Sequence, residues 1–327
     1  MELYPLKFKP ILKERIWGGK RLNTKFGKDL EGKENIGESW ELSAVEDNIS
    51  VVTNGFLEGN DLQELVEIYM GELVGEKVYE KYGLEFPILI KLIDANDDLS
   101  IQVHPDDETA KERHNSYGKT EMWFALDDSE KPRLISGFNR NATKEEFLEK
   151  LKDNTLTSIF NYENVSKGDV FFVPAGRVHA ICSGNIIAEI QQTSDITYRI
   201  YDYNRLDNEG NGRELHLELS LDVMDYKKVV NPKVKYTKKV NDPVELVRCN
   251  YFTTNLIELT KPADRDYYSL DSFVILICTH GECNLEYNTK EQISLSRGET
   301  ILIPASLNSL KITPLEVGVS LLEVYID

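Results

Sequence analysis

Two histidines, an amide and a carboxylate stand where a divalent metal could use them. In Ser100-Ile101-Gln102-Val103-His104-Pro105, an extended backbone sends Gln102 and His104 to one face and Ile101 and Val103 to the other. In Lys119-Thr120-Glu121-Met122-Trp123-Phe124 the same alternation places Lys119 beside Glu121. His179 ends the run Val170-Phe171-Phe172-Val173-Pro174-Ala175-Gly176-Arg177-Val178-His179. Together Gln102, His104, Glu121 and His179 offer the nitrogen and oxygen donors that zinc accepts at about 2.0–2.2 Å. No thiolate is among them, which excludes a structural zinc finger. The other histidines read as hydrogen-bonded or surface residues: His114 lies in a polar stretch, His216 in a helical one and His280 in a turn.

A second polar run follows, from Glu189 to Arg205. If extended, one face carries Gln191, Thr193, Asp195, Thr197, Arg199, Tyr201, Tyr203 and Arg205. Such a face is either solvated, with cross-strand ion pairs, or a pocket wall where arginine grips a phosphate or an oxyanion. Arg205 and Arg177 are the first candidates for a phosphate.

The elements that must position these groups are mostly strands. Period-two alternation marks Leu99 to Val103, Asp169 to Val173, Ile186 to Gln191, Ile196 to Tyr203 and Phe273 to Cys278. Helices are expected from Asp61 to about Tyr82, with Asp61 as N-cap, from a Thr143/Glu146 capping box onward, and from Glu214 to about Tyr226. The class is mainly β with inserted helices. One repeat stands out. Lys167-Gly168-Asp169, four β-type residues and Pro174-Ala175 recur without a gap as Arg297-Gly298-Glu299, four β-type residues and Pro304-Ala305. Two copies of one β domain follow, and they differ where it matters, because Ser309 stands in the second copy where His179 stands in the first.

The chain has 327 residues, and 38 basic against 56 acidic side chains give a formal charge of −18, which argues against nonspecific nucleic-acid binding. The N-terminus lacks the apolar core of a signal peptide, and the longest apolar run, Phe273 to Cys278, is far too short to span a bilayer. Cys182, Cys249, Cys278 and Cys283 form no CxxC pair, so a reduced, cytoplasmic protein is expected.

In combination, several segments resemble the type I mannose-6-phosphate isomerases (phosphomannose isomerases) of the shorter bacterial form. They are Trp17-Gly18-Gly19, Gly37-Glu38-Ser39-Trp40-Glu41, Leu99 to Pro105, Gly118 to Trp123, Val173 to His179, and Ser194-Asp195-Ile196-Thr197-Tyr198-Arg199. The resemblance covers most of the chain. It implies cupin-type (jelly-roll) β-barrels in tandem: residues 1–230 as the metal-binding domain, with helical inserts near 61–82 and 143–160, and residues 231–327 as a degenerate second one. It implies one Zn²⁺ per chain on Gln102, His104, Glu121 and His179. Arg199 corresponds to the family's catalytic arginine, and Lys119 and Asp195 to polar active-site positions connected with proton transfer.

The implied reaction interconverts mannose 6-phosphate and fructose 6-phosphate through a cis-enediol, with the base open between Lys119, Asp195 and a metal-bound water. The expected partner is a small sugar phosphate, with neither nucleic acid nor membrane, on a monomer or weak homo-oligomer. Two other readings compete: a noncatalytic sugar-phosphate sensor on the same fold, and another cupin metalloenzyme such as an Fe²⁺ oxygenase. All four ligand positions are intact, which disfavours the sensor. A redox cupin more often presents a histidine-rich triad with a carboxylate.

Overall fold

The computed structural model describes residues 2–127, 130, 132–206, 209–288 and 291–327. The strand Ile88–Asp94 shows how they are layered. All seven of its residues are buried, because both faces of its sheet are covered. Ile88, Ile90 and Leu92 enter a core shared with the C-terminal half, while Ile93 points to a second core on the opposite face, the side that Lys91 also takes.

That central sheet has six strands, in the order Val170–Val173, Glu121–Ala125, Ile186–Gln192, Ile88–Asp94, Ile36–Leu42, Ile11–Gly19. Facing it is a five-stranded sheet ordered Phe160–Asn164, Arg133–Phe138, His179–Ile181, Ile101–Val103, Tyr198–Tyr201. Leu134 and Ile181 of the second sheet meet Trp123, Phe171 and Ile187 of the first. Their chain neighbours Ile135 and Ala180 point outward, into a core with Phe147 of the helix Lys144–Lys152 and Leu221 of the helix Leu217–Val223.

The C-terminal half is an eight-stranded sheet curled over its own core. In Val274–Tyr287, Val274, Leu276 and Cys278 enter that core, and Ile275 and Ile277 face the central sheet. The curl needs glycine where the strand changes register: Gly281 has φ +72°, and a Cβ there would lie 2.0 Å from the Gly318 oxygen. The short strand Leu6–Lys7 belongs to this sheet as well, Leu6 pairing with Leu302 and Lys7 with Ile301.

Several expectations are corrected here. The chain is mainly β, but the described strands form open sheets facing one another rather than closed barrels. Burial is reached without closure, because helices and the C-terminal sheet cover the remaining faces. The helix expected over 61–82 is three pieces, Leu62–Tyr69, Gly71–Val74 and Glu76–Tyr82, broken at Met70 (φ 47°) and Gly75 (φ 95°). Asp61 does cap the first piece, in a capping box with Glu64. Thr143 accepts from the Glu146 N–H as its motif suggests, yet that helix stops at Lys152 and a 3-10 turn, Leu156–Ile159, follows. The third helix is shorter too, Leu217–Val223.

The repeat is a repeat in space. Gly168 and Gly298 have φ +87° and +86°, and the acids after them, Asp169 and Glu299, accept from the backbone N–H of Ser166 and Ser296 at 2.8 and 2.7 Å. Val173 pairs with Glu121 and Ile303 with Val274, so the counterpart of Glu121 in the second copy is a valine.

Candidate metal centre and active site

His104 follows the strand Ile101–Val103, Glu121 opens a strand of the facing sheet, and His179 opens a third strand. One ligand atom from each lies within 4.8 Å of the others, and all three residues are buried. Each imidazole is oriented from behind. Nδ1 of His104 donates to the Ile196 carbonyl and Nδ1 of His179 to the Arg177 carbonyl, both at 2.8 Å. That assignment leaves the Nε2 lone pairs pointing at Glu121, 3.7 Å from His104 and 3.3 Å from His179. The Gln102 amide reaches His179 Nε2 at 3.3 Å.

The electrostatics suit a cation. Burial pushes both histidines down, His179 to about 3, so both are neutral and able to ligate. Burial and then Glu189 raise the Glu121 carboxyl. Neither of its oxygens has a well-aligned hydrogen-bond donor, although Lys119 Nζ stands 3.2 Å from Oε2. The same ammonium is 3.2 Å from His104 Nε2. The structure thus already brings a positive charge to the place where neutral imidazoles and an under-bonded carboxylate converge, and the donor set fits a divalent ion.

Beside this cluster opens a cavity of about 610 Å³, lined among others by Gln102, Lys119, Asp195 and Arg199. Arg199, on the strand Tyr198–Tyr201, donates from Nη1 to the Glu214 carbonyl at 2.7 Å, while its buried Nε has no partner. Asp195 is exposed on the cavity wall.

Residues 5–140 match the description "Phosphomannose isomerase type I, catalytic domain" and residues 243–316 "Mannose-6-phosphate isomerase, cupin domain". Mannose-6-phosphate isomerase ManA of Bacillus subtilis is 35% identical over 95% of this chain and 96% of its own. The mannose-6-phosphate isomerase of Streptococcus mutans is 34% identical over 93% and 94%. A crystal structure of the mannose 6-phosphate isomerase from Bacillus subtilis superposes with a TM-score of 0.88 at 31% identity, over 99% of this chain and 100% of that one. The chain belongs to the type I phosphomannose isomerase family.

In this phosphomannose isomerase the structure draws together Gln102, His104, Glu121, His179 and Lys119, and it sets Asp195 and Arg199 on the wall of the adjoining cavity. The extended face expected from Gln191 to Arg205 does not exist. The chain leaves the central sheet after Gln192 and enters the facing sheet at Tyr198, so Gln191 is buried against Lys91. Arg205 turns away onto Asp202 and the Asp98 carbonyl. Arg177 bonds Ser136 at 3.4 Å, and neither arginine lines the cavity.

Other cavity residues went unnoticed in the sequence. Lys91 donates to Glu189 at 3.1 Å and to Gln191 at 2.6 Å, and Trp123 Nε1 bonds the other Glu189 oxygen at 2.8 Å. Burial alone would raise Glu189, but Lys91, Lys119 and the indole hold it well below the usual carboxylate range. A charge in the middle of each apolar run, Lys91 in Ile88–Asp94 and Glu189 in Ile186–Gln192, was the available signal.

Proposed function

We propose that this isomerase interconverts mannose 6-phosphate and fructose 6-phosphate through a cis-enediol on a zinc site formed by Gln102, His104, Glu121 and His179. The observation that carries this is the pair of imidazoles locked by carbonyls so that Nε2 faces a carboxylate lacking well-aligned donors. A zinc ion, when bound, supplies a Lewis acid for the oxygens at C1 and C2 of the sugar.

The chain's own residues do the rest. Moving a proton between C2 and C1 builds negative charge on oxygen, and the Arg199 guanidinium, with its unpartnered buried Nε, is the donor placed to meet it. Lys119, buried against Glu121, and the exposed Asp195 are the two side chains placed to hold the travelling proton. Leu99, Ile181 and Trp17 give the same cavity an apolar part of its wall. Residues 1–230 act as the catalytic unit and residues 231–327 as a degenerate cupin unit without metal ligands. We place the protein in the cytoplasm, as a monomer or weak homo-oligomer whose partner is a sugar phosphate. Among the described residues no helix is long and apolar enough to cross a membrane.

The test is mannose 6-phosphate turnover by the protein as purified, after chelation, and after zinc is restored. Loss on chelation with recovery on zinc is the expected result. Activity surviving thorough chelation overturns the metal site, and no turnover with zinc restored overturns the substrate.

A further inference from the structure

The same cavity gathers positive charge. Six cations line it: Lys13, Arg15, Lys91, Lys119, Arg199 and Arg213. Four are matched by carboxylates: Lys91 by Glu189 at 3.1 Å, Lys119 by Glu121 at 3.2 Å, Arg15 by Glu38 at 3.0 Å, and Arg213 Nε by Asp202 at 2.8 Å. Among the described residues Lys13 and Arg199 make no ion pair. Arg199 stands at the reacting end in the mechanism above, which leaves Lys13 as a cation without an assigned anion.

Lys13 is held in place by neutral groups. Its Nζ donates to the Asn48 side-chain oxygen and sits 4.6 Å from the centre of the Trp40 ring, whose Nε1 in turn donates to Glu38 at 2.8 Å. These contacts fix the ammonium while leaving its charge uncompensated. Its surroundings gather like charge: Arg15 repels Lys13, and Arg15 and Arg213 both repel Arg199. Asp195 is the one nearby acid besides Glu38 that pulls the other way on Lys13, and it forms no ion pair with it. A row of mutually repelling cations along one wall is relieved by a bound anion.

The sheet gives the scale. Lys13 lies on the edge strand Ile11–Gly19, three strands from Glu189 on Ile186–Gln192, which is about 14 Å at the usual strand spacing. Within that span the Trp40 ring lies 4.6 Å from Lys13 Nζ and 5.2 Å from Lys91 Nζ, and Lys91 in turn donates to Glu189 at 3.1 Å.

We infer that Lys13, flanked by Arg15, binds the phosphate group of the sugar substrate at the cavity end opposite His104, Glu121 and His179. This rests on the sugar-phosphate reading above. It replaces Arg177 and Arg205, which face elsewhere. A phosphate dianion suits Lys13 because the lysine supplies a point charge and Arg15 a second set of donors on the same strand. A charged group held here contributes to substrate binding throughout the reaction, so its loss belongs in KM rather than kcat.

The experiment compares wild type, Lys13→Met and Lys13→Arg in the zinc-loaded full chain. It reads KM and kcat for mannose 6-phosphate and, by calorimetry, the affinity for inorganic phosphate. Lys13→Met should raise KM and weaken phosphate binding by the same factor, about tenfold to a hundredfold for one charged hydrogen-bond partner. Lys13→Arg should restore most of both. Lys13 is half-buried on an edge strand, and recovery with arginine separates lost charge from misfolding. Unchanged KM and unchanged phosphate affinity in Lys13→Met overturn the inference, as does a wild-type protein that binds no phosphate. If wild type binds phosphate through Lys13 yet fails to turn over mannose 6-phosphate, the substrate reading has failed and the anion site stands.

Discussion

His104 and His179 come from different strands, yet each directs Nδ1 to a main-chain carbonyl at 2.8 Å, Ile196 in one case and Arg177 in the other. The two carbonyls lie in the segments that follow the strand Ile186–Gln192 and precede the strand His179–Ile181. The orientation of the two candidate ligands is therefore set by backbone positions as well as by the side chains themselves. A backbone partner cannot be lost by a point substitution of its own side chain, so the tautomers are robust.

Replacing His179 with alanine should strip the metal. Loss of an outer-shell partner typically costs 10–100-fold in metal affinity, and loss of a ligand should cost about 100-fold or more. Elemental analysis after dialysis reads this directly, and a full complement of zinc on His179→Ala would place the ion elsewhere.

Arg199→Ala should retain its metal and lose about 100-fold or more in kcat, the usual range for removing a donor to a developing oxyanion. Arg199→Lys should recover only part, since a lysine cannot reproduce the Nη1 bond to Glu214 and the inward Nε together. Near-normal kcat in the alanine variant would leave the enediolate without its proposed donor.

Acid stability should depend on Asp202. Burial pushes its carboxyl upward, but hydrogen bonds from Arg213 and Arg205 outweigh that and hold it below 3.8. Below 3.8 and above the folded value the unfolded chain binds more protons, so stability rises with pH there. The contribution is complete above about pH 4 and lost as pH falls through the depressed folded value. Thermal melts of wild type and Asp202→Asn should converge as pH is lowered below 4, and a difference constant with pH would contradict this assignment.

The second repeat has its own buried carboxylate. Glu323 pairs across the sheet with Leu276 as Glu189 pairs with Trp123, two residues along from Val274 and Glu121 respectively. It is met by Arg265 at 2.8 and 2.9 Å, by Tyr267 at 2.8 Å and by Asn255 at 2.9 Å. Arg265→Leu should cost about 3 kcal/mol of stability by stranding that charge, while kcat per folded molecule stays at the wild-type value. Denaturant titration alongside the assay decides it, and an unchanged midpoint would show that Tyr267 and Asn255 suffice.

The candidate ligand set could be read from the sequence because His104 and His179 stand at strand ends, beside Pro105 and after Pro174, and Gln102 shares the face of His104. Lys91 and Glu189 could not, because each is a charge set among apolar neighbours in a strand covered on both faces, and the partner that gives it meaning lies on another strand. The face expected from Gln191 to Arg205 failed for another reason: alternation says which residues share a side only while the chain stays in one sheet, and here it changes sheets between Gln192 and Tyr198. Lys13 gains its meaning from Asn48 and Trp40, contacts that local periodicity does not reveal. The repeat was visible as sequence, but the exchange of Glu121 for Val274 needed the strand pairing to be seen.

The pairing of Leu6 with Leu302 sets an order on the protein's birth. These partners are 302 − 6 = 296 residues apart, and at roughly 5–20 residues per second a ribosome needs about 15–60 s to make the intervening chain. Through that interval the strand Leu6–Lys7 can bond only to the segment 51–54, through Lys7 and Lys9, while the sheets that carry His104, Glu121 and His179 are already made. The strands that position His104, Glu121 and His179 are therefore all synthesised before Leu6 can meet Leu302, so the cluster's own sheets need not wait for that pairing.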